Sequence, residues 1–147
     1  MGIFTGMNVA ATGLTAQQLR LDTIAENMAN SNTTRTKDGT PYRRKMVVMA
    51  AQGSLSGFDQ ILFNKLNTYQ PSGVKISRIV EDPSDYKLAY DPDHPDADEN
   101  GYVAYPNVDI FTEMTNMIDA SRSYEANVTS LNASKQMISK GLSLMEN

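Results

Sequence analysis

The sequence predicts an α+β protein, mostly α, in which long N- and C-terminal helices pair as a coiled-coil-like tube domain around a small β-rich middle segment. Apolar residues recur every seven positions near both ends of the 147-residue chain, and short stretches of the middle alternate apolar with polar residues. Sevenfold spacing is typical of helices that bury a seam against other helices, and alternation is typical of strands. We therefore expect an N-terminal tube helix over residues 1–32, a β-rich middle domain over 33–106 and a C-terminal tube helix over 107–147.

The N-terminal helix is predicted to run over residues 3–30. Its seam consists of Met7, Leu14, Leu21 and Met28, with Ala10 and Ile24 on the intervening positions. The first 31 residues carry three charged side chains, and the other faces of the helix bear small neutral residues that are mediocre helix formers. Such a helix is marginal alone and can be approached closely from several sides. This favours a polymer over two amphipathic helices of one globular domain, which periodicity alone would also allow.

The middle segment begins with a polar stretch at residues 31–40, in which Asp38-Gly39 is a turn signal. Four strands and one short helix follow. The strands are predicted at residues 42–50, 74–80, 87–90 and 101–105, and the helix runs through Phe58, Ile61, Leu62 and Leu66.

The C-terminal helix is predicted to follow Pro106, with Asn107 as its cap and Asp109 near its positive end. Its sevenfold series comprises Ile110, Met117, Tyr124, Leu131, Ile138 and Met145, with Met114, Val128 and Leu142 between them. We expect the two helical seams to form a polymer interface. Its predicted residues are Met7, Leu14, Leu21, Ile24, Met28, Met117, Tyr124, Val128, Leu131, Ile138 and Leu142.

Composition excludes several classes of protein. The chain has no cysteine, so neither disulfides nor thiolate metal sites are expected, and no stretch has the roughly 20 apolar residues of a membrane span. The N-terminus lacks the features of a secretory signal and the pattern for myristoylation. Residues 1–80 carry a net charge of +5, and residues 81–147 carry a net charge of −9. Two halves of opposite charge suit head-to-tail packing of subunits. Alternatively, the two halves face each other within the monomer.

The stretch from Asp96 to Gly101 matches the first half of a calcium-binding EF-hand loop. The twelfth position, which should be a bidentate Glu, is Asn107, and prolines replace the flanking helices. We therefore expect a solvated, turn-rich loop without metal, and keep a calcium-binding module as an alternative.

No catalytic residue, cofactor-binding residue or enzymatic activity is predicted. The one histidine, His94, lies in a Pro-rich loop, and no motif places a nucleophile beside it. The basic cluster around Arg43 and Arg44 is too small, in an acidic protein, to predict a nucleic-acid surface. Neither a small-molecule substrate nor nucleic acid is an expected partner.

Both ends of the chain resemble the bacterial flagellar axial proteins of rod and hook. The resemblance is carried by AENMAN followed by NTTRT at the N-terminal end, and by NVD, EM and ASRSYEAN at the C-terminal end. Within that group, the PYRRK stretch and the HPDAD, GYV and PNV blocks resemble the basal-body rod proteins in particular. The residues that carry the signature are Asn27, Asn30, Tyr42, Arg43, Arg44, His94, Pro95, Asp96, Asn107, Arg122, Tyr124 and Asn127.

The resemblance implies a structural subunit of the proximal rod, the hollow drive shaft that transmits torque and encloses the export channel. Its implied partners are copies of itself, other rod proteins, the membrane-ring adaptor at the rod base and the flagellar type III export apparatus. It implies a location in the basal body, within the periplasm or cell-wall space, reached without a cleaved signal and without membrane insertion. The alternatives are another axial rod or hook subunit, or a secreted coiled-coil effector.

Overall fold

A computed structural model describes residues 3–52 and 73–145 of the chain and confirms the predicted α+β class. The elements are helix α1 (Ile3–Ala29), strands β1 (Lys45–Ala51), β2 (Val74–Glu81), β3 (Lys87–Tyr90) and β4 (Tyr102–Tyr105), and helix α2 (Ile110–Met145). The short helix predicted between β1 and β2 falls outside the described residues. Among the described helices, neither is long and apolar enough to cross a membrane.

Strands β1 and β2 form one two-stranded sheet, and β3 and β4 form another. β1 begins at Lys45, three residues later than predicted, because the backbone just before it bonds elsewhere. The Tyr42 amide donates to the Thr33 carbonyl over 3.1 Å, and the Arg44 amide donates to the Asn107 side chain over 2.9 Å. A stretch whose amides are already used cannot join a ladder at those positions.

Strands β3 and β4 are antiparallel, with Leu88 opposite Ala104 and Tyr90 opposite Tyr102. These four residues share one side of the hairpin, because alternate residues of a strand point to the same side. We call this side the hairpin face. The opposite side carries Val103, which is fully buried and anchors the hairpin to the rest of its unit.

The contacts of the chain divide it into two units. Unit 1 draws on Met1–Gln18, Met49–Ser77 and Arg122–Asn147, and its buried apolar side chains among the described residues are Ala10 and Ala16. Unit 2 comprises Leu19–Val48 and Arg78–Ser121. Its buried apolar residues are Ile24, Tyr42, Val103, Pro106, Val108 and Ala120. Most of the described core therefore lies in unit 2.

Helices α1 and α2 contact each other within each unit. In unit 2, Asn27 of α1 donates a hydrogen bond to Glu113 of α2. In unit 1, Gly13 of α1 lies so close to Asn127 of α2 that an added Cβ would stand 3.0 Å from the amide nitrogen. A side chain at position 13 would require the Asn127 side chain to shift by a few tenths of an ångström.

The predicted cap of the C-terminal helix is wrong. The Asp109 carbonyl accepts the first helical bond from the Glu113 amide, and the Asp109 carboxylate accepts bonds from the Phe111 amide and the Thr112 hydroxyl. Asp109 is therefore the N-cap. Asn107 lies two residues too early for that role, and its side chain bridges neighbouring backbone segments instead.

Candidate functional site

The described residues place one buried polar cluster where the C-terminal end of α1, the segment leading into β1 and the first turn of α2 meet in unit 2. We call it the junction cluster, and it consists of Asn27, Tyr42, Arg44, Lys45 and Glu113. Two of its members, Asn27 and Glu113, are each only 1% exposed. A buried polar group costs free energy unless its hydrogen bonds are made, so its partners decide its role.

Asn27 makes every hydrogen bond that its side chain allows. Its amide nitrogen donates to the Lys45 carbonyl over 2.8 Å and to Glu113 Oε2 over 3.1 Å. Its amide oxygen accepts from the Tyr42 hydroxyl and from the Lys45 amide, both over 2.9 Å. One side chain on α1 thus holds the start of β1 and the start of α2 at once.

Arg44 neutralises the buried Glu113 carboxylate. Its Nε and Nη2 donate to Glu113 Oε1 over 2.9 and 2.7 Å, and its Nη1 lies 3.3 Å from the Asp82 carboxylate. Burial alone lowers the pKa of Arg44, but the hydrogen bonds and charge of Glu113, and then those of Asp82, raise it above its ordinary value. The pKa of Asp82 is lowered, chiefly by hydrogen bonds from Ser84 and secondly by Arg44. The charges of the cluster are therefore paired within the chain.

Tyr42 completes the cluster as a buried hydroxyl that donates to Asn27. Burial, and then the negative charges of Glu26, Glu113 and Glu81, raise the pKa of Tyr42 to about 12. The phenol therefore stays neutral, and stays a donor, across the physiological pH range.

A second group of signature residues joins the segment before β1 to the turn after β2. Asn107 accepts from the Arg44 amide and donates to the Asp82 and Ser84 carbonyls over 3.1 and 3.2 Å. Arg43 donates to the Asp82 carbonyl over 3.1 Å and stacks on the Tyr86 ring, with its guanidinium carbon 4.6 Å from the ring centre. Both residues satisfy backbone carbonyls that belong to no ladder.

Two carboxylates of the loop between β3 and β4, those of Asp96 and Asp98, bond within the chain. Asp96 accepts a hydrogen bond from the Thr34 hydroxyl over 2.8 Å and lies 3.6 Å from Arg35. Asp98 accepts from the amides of Asn100 and Tyr102, as in an Asx turn. Among residues 3–52 and 73–145, no group of three or more potential ligands converges on a metal position.

His94 and Asn30 also have local partners. His94 Nδ1 accepts a hydrogen bond from the Asp96 amide over 3.1 Å, and its ring meets Tyr105 edge-on. Asn30 donates to the Glu26 carbonyl and accepts from the Thr33 hydroxyl at the end of α1. Of the remaining signature residues, Pro95 is exposed in the loop, Arg122 is exposed on α2, and Tyr124 and Asn127 are half-buried.

Most residues predicted for the polymer interface are half-buried in the single chain, while Ile24 is buried and Leu142 is 59% exposed. The low-exposure stripe of α2 follows the spacing of four and three residues through Glu113, Met117, Ala120, Tyr124, Asn127, Leu131, Ser134 and Ile138. The residues predicted between the sevenfold positions of α2, which are Met114, Val128 and Leu142, do not belong to this stripe. Met114 is 48% exposed, because its place on the seam is taken by Glu113.

Glu113 is the residue of the cluster that sequence reasoning missed as a contact. The sequence signal that could have revealed this contact is the position of its charge. Glu113 lies four residues before Met117 and seven before Ala120, on the buried seam of α2. A charge on a seam predicts a buried partner of opposite sign. Every polar side-chain atom of Asn27 and Glu113 bonds within the chain, so these two residues fix the backbone segments that meet at the cluster.

Comparison with known proteins gives consistent relatives over nearly the whole chain. The family described as flagella basal body rod protein matches residues 7–37, and the family described as flagellar basal body rod FlgEFG protein C-terminal matches residues 99–144. The flagellar basal-body rod protein FlgC of Bacillus subtilis is 45% identical over 98% of this chain and 99% of its own length. That of Borreliella burgdorferi is 44% identical over 99% of both chains, and that of Salmonella typhimurium 40% over 98% of both.

Proposed function

The chain belongs to the FlgC family of flagellar basal-body rod proteins and is a structural subunit of that rod; we propose that it builds the proximal rod by polymerising through its terminal helices. In this proposal α1 and α2 of many subunits form a hollow shaft that transmits torque and encloses the export channel. The segment over residues 33–106 forms an outer layer, and the segments over 1–32 and 107–147 form the tube. The subunit performs no enzymatic reaction.

One observation carries the proposal: the helices leave apolar surface exposed that a polymer could bury. Phe4 at the start of α1 is 73% exposed, and Phe111 and Leu144 near the two ends of α2 are each 79% exposed. Unit 1 buries little beyond two alanines among its described residues. Exposed apolar surface on this scale marks an interaction surface in a stable protein. Burial at about 25 cal/mol per Å² would offset the ordering cost of helices that are marginal alone.

The proposal assigns partners and a location. The subunit contacts copies of itself and other rod proteins, meets the membrane-ring adaptor at the rod base and passes through the flagellar type III export apparatus. It resides in the basal body, in the periplasm or cell-wall space, and is exported without cleavage of a signal peptide. The weak helix formers of α1 and α2 support this route, since a chain that travels largely unfolded must order its ends on assembly.

The test is complementation of a flagellated host that lacks its own subunit of this kind. We expect the chain to restore basal bodies whose density map, traced with this sequence, places residues 3–29 and 110–145 around the central channel at the proximal end. Mass spectrometry of purified basal bodies should recover the chain with its original N-terminus. Density for the chain at the hook or the distal rod, or a shortened N-terminus, would contradict the proposal.

A further inference from the structure

The hairpin face, formed by Leu88, Tyr90, Tyr102 and Ala104, is apolar and open. Leu88 is 70% exposed, Tyr90 68% and Tyr102 44%, and the two tyrosine rings meet edge to face with their centres 5.3 Å apart. The other side of the same hairpin buries Val103 completely. Leu88, Tyr90 and Tyr102 of the hairpin face therefore stay exposed among the described residues.

The surroundings of the hairpin face are acidic. The loop that joins Tyr90 to Tyr102 carries five carboxylates and no Lys or Arg. Glu99, in the turn just before β4, is exposed and has no cation within ion-pair distance among the described residues. Aromatic rings beside carboxylates attract Lys and Arg, through the faces of the rings and through the charges. The hairpin face thus fits a surface that presents an apolar side chain together with a cation.

Strand β2 of the same chain presents such a surface. Residues 74–80 contain two basic residues and no acidic one. Lys75, Ser77 and Ile79 lie on one side of the strand and are all exposed, Ile79 by 48%. At roughly 3.3 Å per residue, Lys75 and Ile79 stand about 13 Å apart. Leu88 and Tyr90 stand about 7 Å apart by the same measure, and the acidic loop begins beyond Tyr90.

We propose that the hairpin face of one subunit docks on this side of β2 in a second copy of the chain, with Ile79 against Leu88, and Lys75 against Tyr90 and Glu99. The charge balance of the chain supports this occupant, because residues 1–80 carry +5 and residues 81–147 carry −9. The acidic half of one copy then meets the basic half of the next. The inference rests on the proposed rod function and adds to it a contact outside the terminal helices.

A crosslinking experiment tests the contact, because the chain has no cysteine of its own. A host that lacks its own subunit is made to express Leu88→Cys and Ile79→Cys as two separate chains, so that an intrachain disulfide cannot form. Purified basal bodies are oxidised and separated without reductant. We expect a disulfide-linked product of twice the chain mass. The matched control replaces Leu88→Cys with Ala89→Cys, an exposed neighbour on the other side of β3, and should give much less of that product.

A charge exchange gives an independent readout. Lys75→Glu and Glu99→Lys should each reduce swimming and the number of rods per cell, and the double variant should recover both. Rods that contain both cysteine variants but yield no dimer, or a product of another mass, would overturn the contact and leave the rod function intact. A host that builds no rods with the unaltered chain would contradict the rod proposal and this contact together.

Discussion

Asn27 of α1 and Glu113 of α2 lie 86 residues apart in the sequence and share a buried hydrogen bond of 3.1 Å. The same Glu113 carboxylate accepts two hydrogen bonds from Arg44. The amide oxygen of the same Asn27 accepts a hydrogen bond from the Tyr42 hydroxyl. The two terminal helices are therefore joined through the segment that leads into β1. The signature residues Asn27, Tyr42 and Arg44 thus meet Glu113 of the C-terminal helix in this one cluster.

Glu113→Ala should destabilise the isolated chain by about 3 kcal/mol, because removing one partner of a buried ion pair leaves the other charge poorly compensated. The measurement is urea unfolding of the purified chain, followed by far-UV circular dichroism. Glu125→Ala, an exposed carboxylate on the same helix, is the matched control and should change the free energy of unfolding by less than about 0.5 kcal/mol. Equal unfolding midpoints for the two variants would show that the cluster does not hold the helices.

Tyr42 should make the chain less stable in alkali. Its pKa is raised to about 12 in the folded protein, above the ordinary value of 10.0, so the neutral form is the one that folding favours. The stability from Tyr42 is complete below pH 10 and is lost as the pH rises through about 12. Urea unfolding at a series of pH values should therefore show a steeper decline for the wild type than for Tyr42→Phe. Tyr102→Phe should keep the wild-type decline, and a Tyr42→Phe variant that also keeps it would contradict the assignment.

Asp109→Ala should loosen the first turn of α2. The hydroxyl of Thr112, and then the backbone amide of Phe111, lower the pKa of Asp109 in the folded protein. Its contribution is therefore present above the ordinary carboxyl pKa and is lost as the pH falls through the lower folded value. Hydrogen exchange near neutral pH should show faster exchange of amides 113–116 in the variant than in the wild type. Asp93→Ala, in the exposed loop, should leave these rates unchanged; similar rates in both variants would refute the cap.

Leu21→Asp and Leu131→Asp should each abolish motility by blocking rod assembly, while export of the subunit continues. Both leucines are half-buried in the single chain, and a charge on a seam that the polymer buries costs several kcal/mol unless it is paired. The measurements are swimming in soft agar, electron microscopy of basal bodies and detection of the subunit outside the cytoplasm. Asn132→Asp, the exposed neighbour of Leu131, should swim normally. Normal swimming in both leucine variants would show that these seams are not buried in the rod.

The loop between β3 and β4 should bind no calcium. Asp96 and Asp98 already accept hydrogen bonds from Thr34 and from loop amides, so a metal would have to displace those partners. The test combines Asp96→Ala, Asp98→Ala and Asn100→Ala with His94→Ala and follows rod formation with calcium or with chelator. The variant should assemble less efficiently, but neither protein should respond to calcium. Rod formation that needs calcium in the wild type, and loses that need in the variant, would overturn the prediction.

The sequence by itself determined the fold class, the two terminal helices and the approximate strands, because apolar periodicity and turn residues are local signals. It also carried the family resemblance, since whole blocks such as HPDAD and ASRSYEAN occur as uninterrupted motifs. The poverty of both helices in charged residues was equally readable from the chain.

Only the tertiary structure decided which polar residues meet. Asn107 resembles a helix cap in sequence, but backbone carbonyls of the turn after β2 and the Arg44 amide occupy its side chain, and Asp109 caps α2 instead. Glu113 resembles an ordinary charged residue of a first helical turn. Its place on the seam is explained by its hydrogen bonds with Arg44 and Asn27. A hydrogen bond between residues 86 positions apart leaves no periodic trace in a sequence, because its geometry depends on how separate segments pack.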